Sequence, residues 1–95
     1  MLQFAFEWNS EKARQNLEKH GVSFDEATTA FADLRSRTIG DPEHSADEDR
    51  FLLLGMSSRG RLLVVAHTER GDRIRLINAR LASKSEKKQY EEEPA

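Results

Sequence analysis

Two strand-like segments, residues 62–68 and 73–79, are joined by the turn Arg70-Gly71-Asp72, and arginines stand at their ends and along the second segment. The interval from Arg59 to Arg80 holds six arginines, and in its second half they alternate with apolar residues. A guanidinium group presents a planar set of donors that matches two phosphate oxygens. A β-hairpin would hold such groups in fixed positions, so the pattern predicts an anion site on rigid sheet. His67 and Glu69, near the end of the first segment, add groups that can transfer protons.

The charge of the chain is unevenly distributed, although the net charge is only -2. Residues 25–50 carry eight acidic and three basic side chains, whereas residues 59–90 carry nine basic and three acidic ones. A basic face can meet phosphates, and an acidic loop can meet a basic protein or maintain solubility. The structural alternative is a solvated surface with ordinary ion pairs, which contribute little individually.

Length and composition predict one domain over residues 1–95, with no disulfides and no thiolate metal site because cysteine is absent. The three histidines, His20, His44 and His67, lack the compact spacing of metal ligands, so neither a metal nor a cofactor is expected. No signal peptide is evident, and no apolar run approaches the roughly 20 residues that cross a bilayer. We therefore expect a cytoplasmic protein without a membrane partner.

Local patterns predict the elements that position these groups. Apolar side chains alternate with other residues from Leu2 to Trp8, as in a half-buried strand. A helix is expected from Ser10 to His20, ended by Gly21, and the box Ser23-x-x-Glu26 starts a second helix that continues to Leu34. The sequence then predicts an edge strand at 37–39, a mobile acidic loop at 40–49, a strand at 51–54, the hairpin and a helix at 84–92. The predicted fold class is α+β: an antiparallel β-sheet with two N-terminal helices and a short C-terminal helix.

Two motifs in this chain resemble those of the BrnT family of type II toxins. They are Asn16-x-x-Lys19-His20-Gly21 and Ile74-Arg75-x-Ile77-Asn78-Ala79-Arg80, and the likeness extends from Phe6 to Tyr90. The family often has serine where Asn78 stands, and its acidic segment corresponding to residues 41–49 varies in length. The resemblance implies a RelE-like fold and a ribonuclease that stops translation by cutting RNA. It also implies a BrnA-like antitoxin with a ribbon-helix-helix part, which binds operator DNA as a dimer carrying two toxins, a heterotetramer.

Metal-independent RNA cleavage needs a base, an acid and cations that compensate the phosphoryl charge. His67 and His20 are the first candidates for the base, with Glu69 or Lys19 behind them, and Arg75 and Arg80 are the first cations. We expect the two guanidinium groups to converge on one scissile phosphate. The candidate catalytic residues are His67, Arg75, Arg80, His20 and Lys19, and the candidate substrate-binding residues are Arg61, Asn78, Tyr90 and Lys12.

Two of the candidates also have a structural interpretation. His20 can satisfy carbonyls at a helix C-terminus, and Asn78 can satisfy backbone groups within its strand. Two other functions stay open at this point: a non-catalytic nucleic-acid-binding regulator and an inactive toxin that only docks an acidic partner. The first would use the two helices as a helix-turn-helix, but the second helix is acidic before Arg35 and would repel DNA.

Overall fold

A computed structural model describes residues 5–45 and 48–92. Leu2 and Phe4 of the predicted first strand, two residues of the acidic loop and residues 93–95 lie outside the described residues. The elements in chain order are β1 (Ala5–Glu7), α1 (Ser10–His20), α2 (Phe24–Ala30), β2 (Arg37–Gly40), a 3₁₀ turn (Pro42–His44), β3 (Arg50–Met56), β4 (Leu62–Arg70), β5 (Arg73–Leu81) and α3 (Lys84–Glu91). The α+β class predicted from the sequence is thus confirmed.

The five strands form one mixed sheet in the order β1-β5-β4-β3-β2. β1 runs parallel to β5, while the other neighbours are antiparallel, so the prediction of a purely antiparallel sheet was wrong. A parallel pair needs a long crossover connection, and the segment from α1 to β4 supplies it. The pairing places Phe6 beside Ile74, and both side chains pack against the hydrophobic core.

The core lies between α2 and one face of the sheet. Gly55 on β3 allows a close approach of the two layers, because a Cβ atom there would lie 2.7 Å from the carbonyl oxygen of Ala30. α2 ends at Ala30, earlier than predicted, and Leu34 is fully exposed. The Asp33 carboxylate explains the early end, since it accepts hydrogen bonds from the backbone of Arg35 and of Met56 and turns the chain toward β3. The buried core residues are Val22, Phe24, Ala27, Ala30, Leu53, Leu63, Val65, Leu76 and Ala79.

A β-bulge in β5 decides which side chains share a face. Ala66 pairs with Asn78 and His67 pairs with Leu76, so Ile77 is an extra residue without a partner in β4. Arg75 and Arg80 are five positions apart and would face opposite sides of a regular strand. The bulge brings both to the face opposite α2, which we call the arginine face; it carries Arg73, Arg75, Asn78 and Arg80 of β5.

Candidate functional site

A shallow cavity of about 270 Å³ lies where α1 packs along β5. Positions 12, 15, 16 and 19 of α1 follow helical spacing, so their side chains share one side of the helix and project toward the strand. Four of the nine candidate residues meet here, namely Lys12, Lys19, His20 and Asn78. The other lining residues are Gln15, Asn16 and Ile77. We call this cavity the α1–β5 cleft.

Asn16 fastens the two sides of the α1–β5 cleft together. β1 covers the outer edge of β5 only at residues 73–75, so in the described part of the chain no strand lies beside the backbone of Ala79 on this edge. The Asn16 side chain takes that place: its Oδ1 accepts from the Ala79 amide at 3.0 Å, and its Nδ2 donates to the Ala79 carbonyl at 2.8 Å. Nδ2 also donates to the Val22 carbonyl at 2.9 Å. This role could not be recognised from the sequence, since only its place in the first motif distinguished Asn16 from a surface asparagine.

The cleft is positively charged and suited to phosphate chemistry. Two ammonium groups, an imidazole and three amide side chains line it, and its described lining includes no acidic side chain. Ammonium groups compensate charge that develops on phosphoryl oxygens, and an imidazole can accept or donate a proton near neutral pH. The cleft therefore holds the types of group that phosphodiester cleavage requires, on a helix and a strand fixed to each other by Asn16.

Arg75 and Arg80 share the arginine face but do not meet. Their partners on β4, Thr68 and Val64, are four residues apart, a separation of roughly 13 Å along the strand. Arg75 donates to Glu7 at 3.1 Å, and Arg80 forms a bidentate pair with Glu86 at 2.8 and 2.9 Å. The Arg80 guanidinium lowers the pKa of Glu86 to about 2. The expected convergence of the two arginines on one phosphate is therefore absent from the structure.

Arg61 holds the protein together on the helix side of the sheet. The Glu26 carboxylate, only 3% exposed, accepts hydrogen bonds from two nitrogens of Arg61 and one from the Ser57 hydroxyl. The same guanidinium donates to the Gly21 carbonyl at 3.0 Å. Hydrogen bonding to Arg61 lowers the pKa of Glu26, which keeps the buried pair charged. These contacts fix α2 and the end of α1 to the β3–β4 turn, and they leave the predicted substrate-binding role of Arg61 without geometric support.

His67 points into the core, away from the arginine face. It is 2% exposed and lies edge-on to Phe31, with ring centroids 4.9 Å apart, and it also packs against Phe51. Nδ1 lies 3.1 Å from the Val65 carbonyl oxygen, and burial lowers the pKa of the imidazole, which favours the neutral form. A base must reach its substrate. This ring does not, so the position of His67 argues against the predicted catalytic role, while Glu69 is exposed near the end of the same strand.

Tyr90 anchors α3 to the rest of the fold. Its ring is buried, its hydroxyl donates to Asp33 at 2.6 Å, and the Arg35 guanidinium carbon lies 5.6 Å from its ring centroid. A ring in these contacts is not available to stack on a base, so its position does not favour the predicted role in substrate binding.

Within residues 5–45 and 48–92, no three His, Asp or Glu side chains lie close enough together to hold a metal ion. No helix in the same ranges is long and apolar enough to cross a bilayer.

The chain was compared with known protein families and structures. Residues 8–86 match the family described as the ribonuclease toxin BrnT of type II toxin-antitoxin systems. The crystal structure of the Brucella abortus ribonuclease toxin BrnT has a similar fold, with a TM-score of 0.67 and 21% sequence identity, over 86% of this chain and 100% of that one. A comparison with curated proteins gave no match. The family match spans most of the sequence, including both motifs, and the chain belongs to the BrnT family of ribonuclease toxins.

Proposed function

We propose that this protein is a metal-independent endoribonuclease that cuts RNA in the α1–β5 cleft. The observation that carries the proposal is the meeting of Lys12, Lys19, His20 and Asn78 in one cavity, in a chain of a ribonuclease family. Compensation of phosphate charge there comes from ammonium groups. Carboxylates, the usual ligands of Mg²⁺ in phosphoryl-transfer sites, do not line the described cavity.

The reaction uses the neighbouring nucleotide's own hydroxyl. His20 removes the proton of the ribose 2′-hydroxyl, whose oxygen attacks the adjacent phosphorus while the bond from phosphorus to the 5′-oxygen breaks. Lys12 compensates the charge on the non-bridging oxygens, Lys19 donates a proton to the departing 5′-oxygen, and the Asn78 amide orients the phosphate. The products are a 2′,3′-cyclic phosphate and a 5′-hydroxyl end. A positioned base contributes about 10²- to 10⁴-fold to such a rate, and a positioned donor about 10²- to 10³-fold.

Arg80 extends this site along the arginine face. It stands two positions after Asn78 on the same face, and Glu86 holds its guanidinium in one orientation. We assign it to a phosphate next to the scissile one. The same proposal includes a ribbon-helix-helix antitoxin of BrnA type and an assembly of two toxins with two antitoxins that binds operator DNA. It also includes arrest of translation in the cytoplasm and a RelE-like relationship. These parts of the proposal rest on membership in the family.

The regulator alternative finds less support in the geometry. α2 has only seven residues, with Asp25 and Glu26 in its first turn and no basic residue in its last turn. Glu26 is also committed to Arg61. A recognition helix places its N-terminal residues against DNA, and these carboxylates would be repelled by it.

The direct test is cleavage of a defined messenger RNA by the purified protein, with and without a chelator. We expect cyclic-phosphate ends, and we expect chelator to have no effect on the rate. Lys12→Gln and His20→Gln should each lower the rate by about 10²-fold, because each removes a group that acts in the transition state. Lys88→Gln, at an exposed position of α3, is the matched control and should cleave like the parent.

Circular dichroism should show that all three variants are folded. Parent-like rates for both Lys12→Gln and His20→Gln would show that the cleft is not the active site. Binding without cleavage would instead indicate a non-catalytic RNA-binding protein. The logarithm of its binding constant should then fall with the logarithm of the salt concentration, with a slope of about -0.7 per phosphate contacted.

A further inference from the structure

A second row of polar side chains crosses the arginine face beyond the cleft. The strand register places Arg50 of β3 beside Thr68 of β4, Thr68 beside Arg75 of β5, and Arg75 beside Glu7 of β1. Paired residues of neighbouring strands direct their side chains to the same face. Four strands thus contribute one side chain each to a continuous line, which we call the transverse row.

Positive charge in and beside the transverse row exceeds the negative charge near it. Glu7 accepts one hydrogen bond, from Arg75 at 3.1 Å, while Arg70 and Arg73 lie at 3.7 and 3.8 Å from its oxygens. The last two distances are too long for hydrogen bonds. Arg70 also lies 3.6 Å from Glu48. One central carboxylate therefore faces three guanidinium groups and cannot satisfy their donors.

Two buried donors of the transverse row have no partner. The Thr68 hydroxyl and the Arg50 Nε are both buried, and neither makes a hydrogen bond within residues 5–45 and 48–92. Thr68 as a whole is 2% exposed. Buried polar groups are nearly always hydrogen-bonded, and an exception in a native fold calls for a ligand, a water or an ion. A hydroxyl and guanidinium groups on one face match the oxygens of a phosphate.

We infer that the transverse row is a second phosphate subsite, which binds the RNA strand outside the α1–β5 cleft. The inference rests on the proposed function and adds to it a place for the neighbouring backbone. Continuity favours RNA as the occupant: Asn78 of the cleft and Arg75 of the row lie on the same face of β5. Their partners Ala66 and Thr68 are two residues apart, which is roughly 7 Å.

Binding requires a side-chain movement that uncovers the buried Thr68 hydroxyl and Arg50 Nε. The phosphate then accepts hydrogen bonds from these two groups and from the nearby guanidinium groups that Glu7 does not satisfy. Glu7 continues to orient Arg75. An RNA strand bound in the cleft would thus be held at a second point. This accounts for the many arginines on a face where, among residues 5–45 and 48–92, Glu7 is the one carboxylate that pairs with the row.

The decisive variant is Thr68→Val, which removes the hydroxyl and keeps the shape. Replacing an unsatisfied buried hydroxyl by a methyl group should leave the stability unchanged or raise it. Affinity for a fully 2′-O-methylated RNA 12-mer, which cannot be cleaved by the proposed route, should nevertheless fall by about tenfold, as expected for the loss of a hydrogen bond to a charged group. Thr38→Val, at an exposed position of edge strand β2, is the matched control and should bind like the parent.

Arg50→Lys is a second variant, which keeps the charge and removes the buried Nε. It should also weaken binding of the 12-mer. If the variants lose the phosphate contact altogether, the slope of the logarithm of the binding constant against the logarithm of the salt concentration should become about 0.7 smaller in magnitude. Cleavage of a dinucleotide, which has a single phosphate and occupies only the cleft, should be unchanged in both variants.

Three results separate the possible failures. Parent-like affinity of Thr68→Val and Arg50→Lys for the 12-mer overturns the subsite. Weaker binding of the antitoxin by these variants, with unchanged binding of the 12-mer, also overturns it and makes the row a protein-docking surface. If the parent cleaves no RNA but both variants still bind the 12-mer more weakly, the proposed function fails and the phosphate subsite stands.

Discussion

Asn16 should be one of the most sensitive positions for stability. Asn16→Ala removes three hydrogen bonds and leaves the amide and carbonyl of Ala79 and the carbonyl of Val22 without their partners. Each buried backbone group left unpaired costs about 1–3 kcal/mol. Allowing for water that enters from the adjacent cleft, we expect the free energy of unfolding to fall by about 3–5 kcal/mol, a large part of the usual 5–15 kcal/mol.

Asn16→Asp separates the hydrogen bond that Asn16 accepts from the two that it donates. Its carboxylate can still accept from the Ala79 amide, but it cannot donate to the two carbonyl oxygens. Burial beside these oxygens should raise the pKa of the introduced carboxyl group. The folded state then holds the proton more tightly than the unfolded state, so the variant should lose stability as the pH rises above about 3.9, the ordinary pKa of aspartic acid.

The assay is urea unfolding followed by circular dichroism, at pH values from 3 to 7. Gln15→Ala is the control, because Gln15 is an exposed neighbour on α1 that bonds only to Glu11 in the described structure, and it should change stability by no more than about 0.5 kcal/mol. A loss below about 1 kcal/mol for Asn16→Ala would refute the reasoning. So would an Asn16→Asp variant whose deficit relative to the parent does not vary with pH.

Two further predictions concern the dependence of stability on pH. The pKa of Glu86 falls from 4.5 to about 2 in the fold, so the Arg80–Glu86 pair stabilises the protein above pH 4.5 and loses this effect as the pH falls toward 2. Glu86→Gln should cost about 1 kcal/mol at pH 7, a value reduced for the partial exposure of Arg80, and the deficit should shrink when urea unfolding is repeated at pH 3. The pKa of His67 lies below 6.5, so the neutral ring contributes stability above pH 6.5 that declines as the pH falls below it. His67→Phe should retain more of its stability between pH 7 and pH 5.5 than the parent, and equal losses would contradict a buried neutral imidazole.

Local sequence signals located the elements because they act over a few residues. Asn9 and Ser23 accept hydrogen bonds from backbone amides at the starts of α1 and α2, and Gly21 adopts the left-handed conformation that ends α1. The second capping box, Ser83 with Glu86, is present in full at the start of α3. Such interactions depend little on the rest of the fold. They also fixed the spacing of the basic side chains along α1, so that part of the candidate site could be anticipated.

Contacts between residues far apart in the chain decided which candidate side chains share a face and which are buried. The five-residue spacing of Arg75 and Arg80 would place them on opposite faces of a regular strand. They share a face because of the bulge at Ile77, which exists only through the register between β4 and β5. From the sequence, His67 was expected to be an accessible base. The packing of α2 on the sheet places it beside Phe31 instead.

The sequence by itself thus determined which groups the protein has, where its helices start and to which family it belongs. The tertiary structure alone decided that β1 lies parallel to β5, that Asn16 closes the edge of β5 and that Lys12 and Asn78 line the same cleft. The physical reason is range: capping and helix periodicity depend on neighbours in the chain, whereas strand register, burial and the meeting of α1 with β5 depend on contacts between residues tens of positions apart.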